Sequence, residues 1–70
     1  GEALTGSFRT PAGGLVVIVA STQPGRDVTA RVTVPDGNYR DALSGELFRA
    51  WGGKLRVPLP PGHGRVLVRE

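Results

Sequence analysis

Eleven glycines and six prolines lie scattered between short apolar segments, and this punctuation restricts the fold more than any other feature of the chain. Residues of these two types interrupt helices, whereas in β proteins they end strands and build turns. No helix-length window carries apolar residues at helical spacing, and no internal repeat is visible. The segments between the turns alternate with period two instead. A length of 70 residues allows one domain and no second, since a core needs roughly 50 residues. With 39% hydrophobic and 21% charged residues the chain should fold, because disordered segments are poorer in apolar groups. Its longest apolar run, Leu15 to Ala20, is far short of the roughly 20 residues of a spanning helix. No membrane partner is expected.

The sequence has no cysteine and a single histidine, His63, so neither a disulfide nor a Cys/His zinc site is expected. A core of this size without staples supplies only a few kcal/mol of net stability. Help from a neighbouring domain is therefore plausible. The sequence starts with Gly1 and contains no methionine, and we read it as a segment of a longer polypeptide. The net charge of +3 comes largely from arginines scattered singly along the chain, a pattern that fits solvated strand faces better than a polyanion-binding run.

Read from the N-terminus, Leu4, Gly6 and Phe8 alternate with polar residues as a first strand, ended by the turn residues Thr10 to Gly14. Leu15 to Ala20 reads as an interior strand covered on both faces. Ala30, Val32 and Val34 mark a third strand, closed by Pro35. Asp36-Gly37 is a two-residue hairpin signal leading to a strand around Asn38 to Leu43, and Ser44-Gly45 makes the next turn. A two-residue loop at Gly52-Gly53 would set Trp51 opposite Lys54, Ala50 opposite Leu55, Arg49 opposite Arg56 and Phe48 opposite Val57. Phe48, Ala50, Leu55 and Val57 would then point inward, leaving Arg49, Trp51, Lys54 and Arg56 on the other face. Pro58 to Gly62 forms a stiff bend before a last strand, Arg65 to Arg69. Expected core residues are Leu4, Phe8, Val16, Ile18, Val32, Val34, Phe48, Leu55, Val57, Val66 and Val68. The fold class is all-β, a small antiparallel sandwich of six to seven short strands.

Three stretches carry a resemblance to a known family. They are Val32 to Glu46, with Pro35-Asp36-Gly37, Tyr39 and Asp41-Ala42-Leu43-Ser44-Gly45-Glu46; Gly52 to Pro61; and Gly64 to Val68. In this order they resemble the C-terminal β-domain of the α-amylase superfamily of glycoside hydrolases. The Leu15 to Ala20 strand resembles that domain's aliphatic strand, with Ala20-Ser21 where the family usually has Asn. The resemblance implies a Greek-key β-sandwich packed on a catalytic (β/α)₈ barrel of the same polypeptide. It also implies that residues 1–70 form one accessory domain cut from the C-terminus of a longer enzyme acting on α-glucans. In that family the catalytic carboxylates lie on the barrel, so no catalytic residue carries over to this sequence.

The residues themselves agree. Glycoside hydrolysis needs two carboxylates about 5 to 10 Å apart across a bound sugar. Asp36 instead reads as a turn residue, and Asp41 and Glu46 flank the Ser44-Gly45 turn, where carboxylates accept backbone N–H bonds. Ser44 and Thr5 have no histidine partner at a readable position, and Gly13-Gly14 and Gly52-Gly53 lack the helix and lysine of a phosphate-binding loop. No metal or cofactor is expected, and the isolated domain should be a monomer. Two alternatives come from other classes. One is a carbohydrate-binding module in which Trp51, joined by Tyr39, stacks on a pyranose of an α-glucan. The other is a small basic nucleic-acid-binding barrel using Arg49, Trp51, Lys54 and Arg56; with charges so scattered, a nucleic-acid partner is not expected.

Overall fold

The computed structural model describes residues 2–70. Seven strands form: β1 (Ala3–Arg9), β2 (Leu15–Ser21), β3 (Val28–Thr33), β4 (Gly37–Asp41), β5 (Leu47–Ala50), β6 (Lys54–Leu59) and β7 (Gly64–Arg69). All pairings are antiparallel. A five-stranded sheet runs β1-β2-β7-β4-β5, and β3 and β6 make a two-stranded sheet facing it. Leu15, Val17 and Val19 of β2 meet Tyr39, Phe48 and Leu67 of the same sheet and Val28, Ala30, Leu55, Val57 and Leu59 of the other in one buried cluster. These inward positions are two residues apart along each strand, as the pleat requires.

The last strand is what closes the fold. β7 inserts between β2 and β4, pairing Val17 with Leu67 and Asp41 with Leu67 on its two edges. β2 is thus interior in the strand order, but the expectation of cover on both faces fails, since only the Leu15, Val17 and Val19 face meets the second sheet and Ile18 on the other face is exposed. Tyr39 is fully buried in β4 and donates its hydroxyl to the Pro35 carbonyl at 2.6 Å. Tyr39→Phe should therefore cost about 0.5–1.5 kcal/mol, the usual net worth of one hydrogen bond, read as a lower urea midpoint with unchanged slope.

Several expectations need correction. Asp36-Gly37 makes no hairpin, because β3 pairs with β6 and β4 with β5 and β7. The chain crosses here from one sheet to the other. The Gly52-Gly53 turn does form, with both glycines at positive φ (62° and 76°) and Trp51 bridged to Lys54. Its ladder stops there, since β5 continues in the large sheet and β6 in the small one. The pairs Ala50–Leu55, Arg49–Arg56 and Phe48–Val57 are consequently absent, although the inward and outward faces are as expected. Leu43 lies beyond β4 in the following turn and is exposed. Strand β6 runs on through Pro58, which pairs with Thr29 on an edge strand that needs no N–H donor there.

The core list also changes. Val32 and Val66 are half-buried, and Leu4, Phe8, Ile18 and Val68 are exposed, at 68%, 51%, 43% and 39%. Alternation identifies an apolar face without saying which side the second sheet will cover. Here the two-stranded sheet covers the other side. Phe8, Val16, Val68, Arg40 and Leu47 are successive cross-strand partners, as are Gly6, Ile18 and Val66. Paired residues project to one side of a sheet, so these rows form its outer face. Among the described residues no layer covers that face.

Candidate functional site

The Asp41 to Glu46 loop is the most connected polar region. Asp41 ends β4 on the inner side and is only 3% exposed. Its Oδ1 accepts the Leu43 N–H at 2.9 Å, while Oδ2 accepts the Ser44 hydroxyl at 3.0 Å and Arg65 Nη1 at 2.9 Å. Arg65 also reaches Glu46 Oε1 at 3.2 Å and lies over the Phe48 ring, 4.9 Å from its centroid. Burial by itself would raise the Asp41 pKa. The bonds from Leu43, Ser44 and Arg65, with the charge of Arg65, outweigh burial and hold the carboxyl below its ordinary range. A carboxylate stabilised in this way is a structural ion and a poor proton donor near neutrality.

Asp36 is likewise a turn residue, but one that works at a distance. Its Oδ1 accepts the Gly53 N–H at 2.6 Å, fastening the β3–β4 crossing to the β5–β6 turn. Gly37 adjoins this point, and a Cβ on it would stand 3.1 Å from Arg69 Nε, so the guanidinium occupies the space a side chain would need. Arg69 Nη2 donates to the Asp36 carbonyl at 2.7 Å. His63 is exposed on the bend before β7.

Trp51 and Tyr39, the two candidate sugar-stacking residues, are not brought together. Trp51 is 73% exposed on the outward side of the β5–β6 corner. Tyr39 is in the core with its ring covered and its hydroxyl engaged, so it cannot present a face to a ligand. The alternation of β4 places Tyr39 on the same side as Asp41, which is the buried side. Arg49 does lie over the indole, 5.4 Å from its centroid, within cation–π reach. Lys54 donates to Thr33 Oγ1 at 3.0 Å.

Trp51 and Arg49 line two neighbouring surface clefts. One, about 370 Å³, is completed by Lys54 and Arg56. The other, about 480 Å³, is completed by Asp36, Gly37, Asn38 and Ala50. Across the small sheet, Arg31 is the register partner of Arg56, and both are exposed. Arg31 joins this surface only through the β3–β6 pairing, which the linear sequence does not display. The outer face of the large sheet was hidden for the same reason. Its signal was nevertheless present, in the unbroken apolar run of β2 beside Leu4, Phe8, Val66 and Val68.

Two unequal antiparallel sheets, joined by crossings between them, define a small all-β sandwich. The chain superposes on the crystal structure of an AmyP variant in complex with maltotriose, AmyP being an α-amylase family enzyme, with a TM-score of 0.81 at 19% identity. The match covers 99% of this chain and 14% of that one, so the chain spans about one seventh of the solved protein's length. The sequence matches no protein-family model and no curated protein.

Proposed function

We propose that the chain is a non-catalytic C-terminal accessory domain of an α-amylase-type enzyme acting on α-glucans, and that it stabilises a catalytic barrel by docking onto it. The observation that carries this reading is the uncovered outer face of the five-stranded sheet. Leu4, Phe8, Ile18 and Val68 are exposed there, and Arg40, paired with Glu70 at 2.7 Å, separates them from Leu47 on β5. An apolar patch rimmed by charge marks an interaction surface, and docked domains of one chain share roughly 600–1,500 Å². The likeness to one seventh of a larger amylase supports a partner within the same polypeptide.

The acids support a structural part for this domain in that assembly. Asp41 and Glu46 share Arg65, and Glu70 pairs with Arg40. Deleting residues 1–70 from the longer enzyme should lower its unfolding temperature while the molecules that remain folded keep their turnover number. Loss of turnover in a barrel that circular dichroism shows still folded would mean that this domain takes part in the chemistry, and would overturn the reading.

A further inference from the structure

Docking through the β1-β2-β7 part of the large sheet would leave the outer side of the small sheet facing solvent, with the Trp51 corner at the far edge, at the end of β5. Arg31, Lys54 and Arg56 are exposed on the small sheet's outer side, and Arg49, which shares Leu47's face of β5, meets Lys54 and Arg56 in the cleft at Trp51. Among the described residues, none of these four cations has a carboxylate within ion-pair distance. Four of the six acids are engaged elsewhere, Glu2 with Arg26, Glu70 with Arg40, and Asp41 and Glu46 with Arg65, while Asp36, which lines the second cleft, has its Oδ1 on the Gly53 N–H. Moreover, Arg31 and Arg56 stand directly opposite each other across two strands, where like charges destabilise a sheet. An arrangement that weakens the free domain becomes favourable once an anion lies between the two guanidinia, whose planar forks suit phosphate and carboxylate.

We propose that the face formed by Trp51, Arg49, Lys54, Arg56 and Arg31 binds an anionic glycan, with Trp51 stacked on a sugar ring and the cations on its phosphate or carboxylate groups. Trp51 supplies a flat apolar surface at the meeting of two clefts, as a pyranose face requires. Arg49 covers one side of the indole, which leaves a single stacking surface. Strand-tracking nucleic-acid sites stack successive bases on several aromatics, whereas Tyr39 and Phe48 are buried and Phe8 is on the large sheet's outer face. The inference rests on the carbohydrate reading above only in taking the anionic polymer to be a glycan.

Trp51 is the sole tryptophan, so its fluorescence reports the site directly. The 70-residue chain is titrated with a phosphorylated maltooligosaccharide, an oligogalacturonate, a neutral maltooligosaccharide, inorganic phosphate and a single-stranded oligonucleotide. At least one anionic oligosaccharide should bind about tenfold or more tighter than the neutral one and than phosphate alone, and its identity assigns the anionic group. Raising salt should weaken that binding, as charge contacts at a surface are screened. By calorimetry, Arg31→Gln with Arg56→Gln should lower the affinity about tenfold, and Trp51→Ala at least as much, while the Arg double variant unfolds at the same or a higher urea concentration. Equal binding of the neutral sugar, equal binding of inorganic phosphate, or no response to any probe would overturn the proposal and leave the docking reading intact. Preferential binding of the oligonucleotide would overturn both this proposal and the assignment to carbohydrate.

Discussion

Asp41→Ala is expected to cost about 3 kcal/mol, the lower end of what is lost when one partner of a buried ion pair is removed. The lower end applies because Arg65 keeps 16% of its side chain exposed and can recover some hydration. Even so, the variant loses the acceptor for the Leu43 N–H, the Ser44 hydroxyl and Arg65 together. A domain of 70 residues with no cysteine has roughly 3–5 kcal/mol in hand, so a large fraction of Asp41→Ala molecules should be unfolded at 25 °C. Urea unfolding followed by circular dichroism measures this, and a loss below about 1 kcal/mol would show that the loop does not depend on the carboxylate.

The same carboxyl sets the acid limb of the stability curve. Its pKa is lower in the folded chain than when unfolded, so the unfolded state takes up the proton first as pH falls. Its contribution is complete above the unfolded pKa, near 3.8, and is lost as pH drops through the folded value. Glu2 and Glu70, lowered by hydrogen bonds from Arg26 and Arg40, shift in the same direction. Both are at the surface, and their part should fade with added salt. Asp41→Asn should flatten the acid limb in a way that salt does not.

How much of this was legible beforehand depended on whether a feature is local. Strand β2 was readable because six consecutive apolar, mostly β-branched residues have few other fates. The Gly52-Gly53 turn was readable because only glycine occupies two successive positive-φ positions easily. That turn's continuation was not, because a tight turn fixes the pairing of its flanking residues and leaves open whether the strands then stay together or part into two layers. Asp36-Gly37 misled for a related reason, as the same residues serve a crossing in which the Asp36 side chain caps the Gly53 N–H instead of its own turn. Leu4 and Phe8 were assigned to the core on sound alternation, but the two-stranded sheet packs on the opposite side of the large sheet. Of the candidate site, Trp51 was found by its position at the turn. Tyr39 was misplaced because burial of an aromatic depends on the fold around it, and its hydroxyl partner, Pro35, had to come near first. The pairing of Arg31 with Arg56 required knowing that β3 lies beside β6.

The docking reading predicts an effect of comparable size at residues that contribute little to the free domain. Leu4 and Phe8 lie on the edge strand β1 with 68% and 51% of their surface exposed. Lysine is well tolerated on edge strands, so Leu4→Lys with Phe8→Lys should change the stability of the chain alone by about 1 kcal/mol at most. Within the longer enzyme the same pair would have to bury two charges against an apolar partner, or give up the contact. Full burial of a Leu or Phe side chain is worth about 1.5–3 kcal/mol, and two lost together approach the whole stability of a small domain.

The decisive measurement is the denaturant midpoint of this domain, alone and joined to its barrel, with and without the Leu4→Lys and Phe8→Lys pair. The domain should unfold at a clearly higher urea concentration when joined, and the lysine pair should return it to the midpoint of the free chain. Equal midpoints for the free and joined domain, or a joined domain whose added stability survives both lysines, would contradict docking through the outer face of the five-stranded sheet.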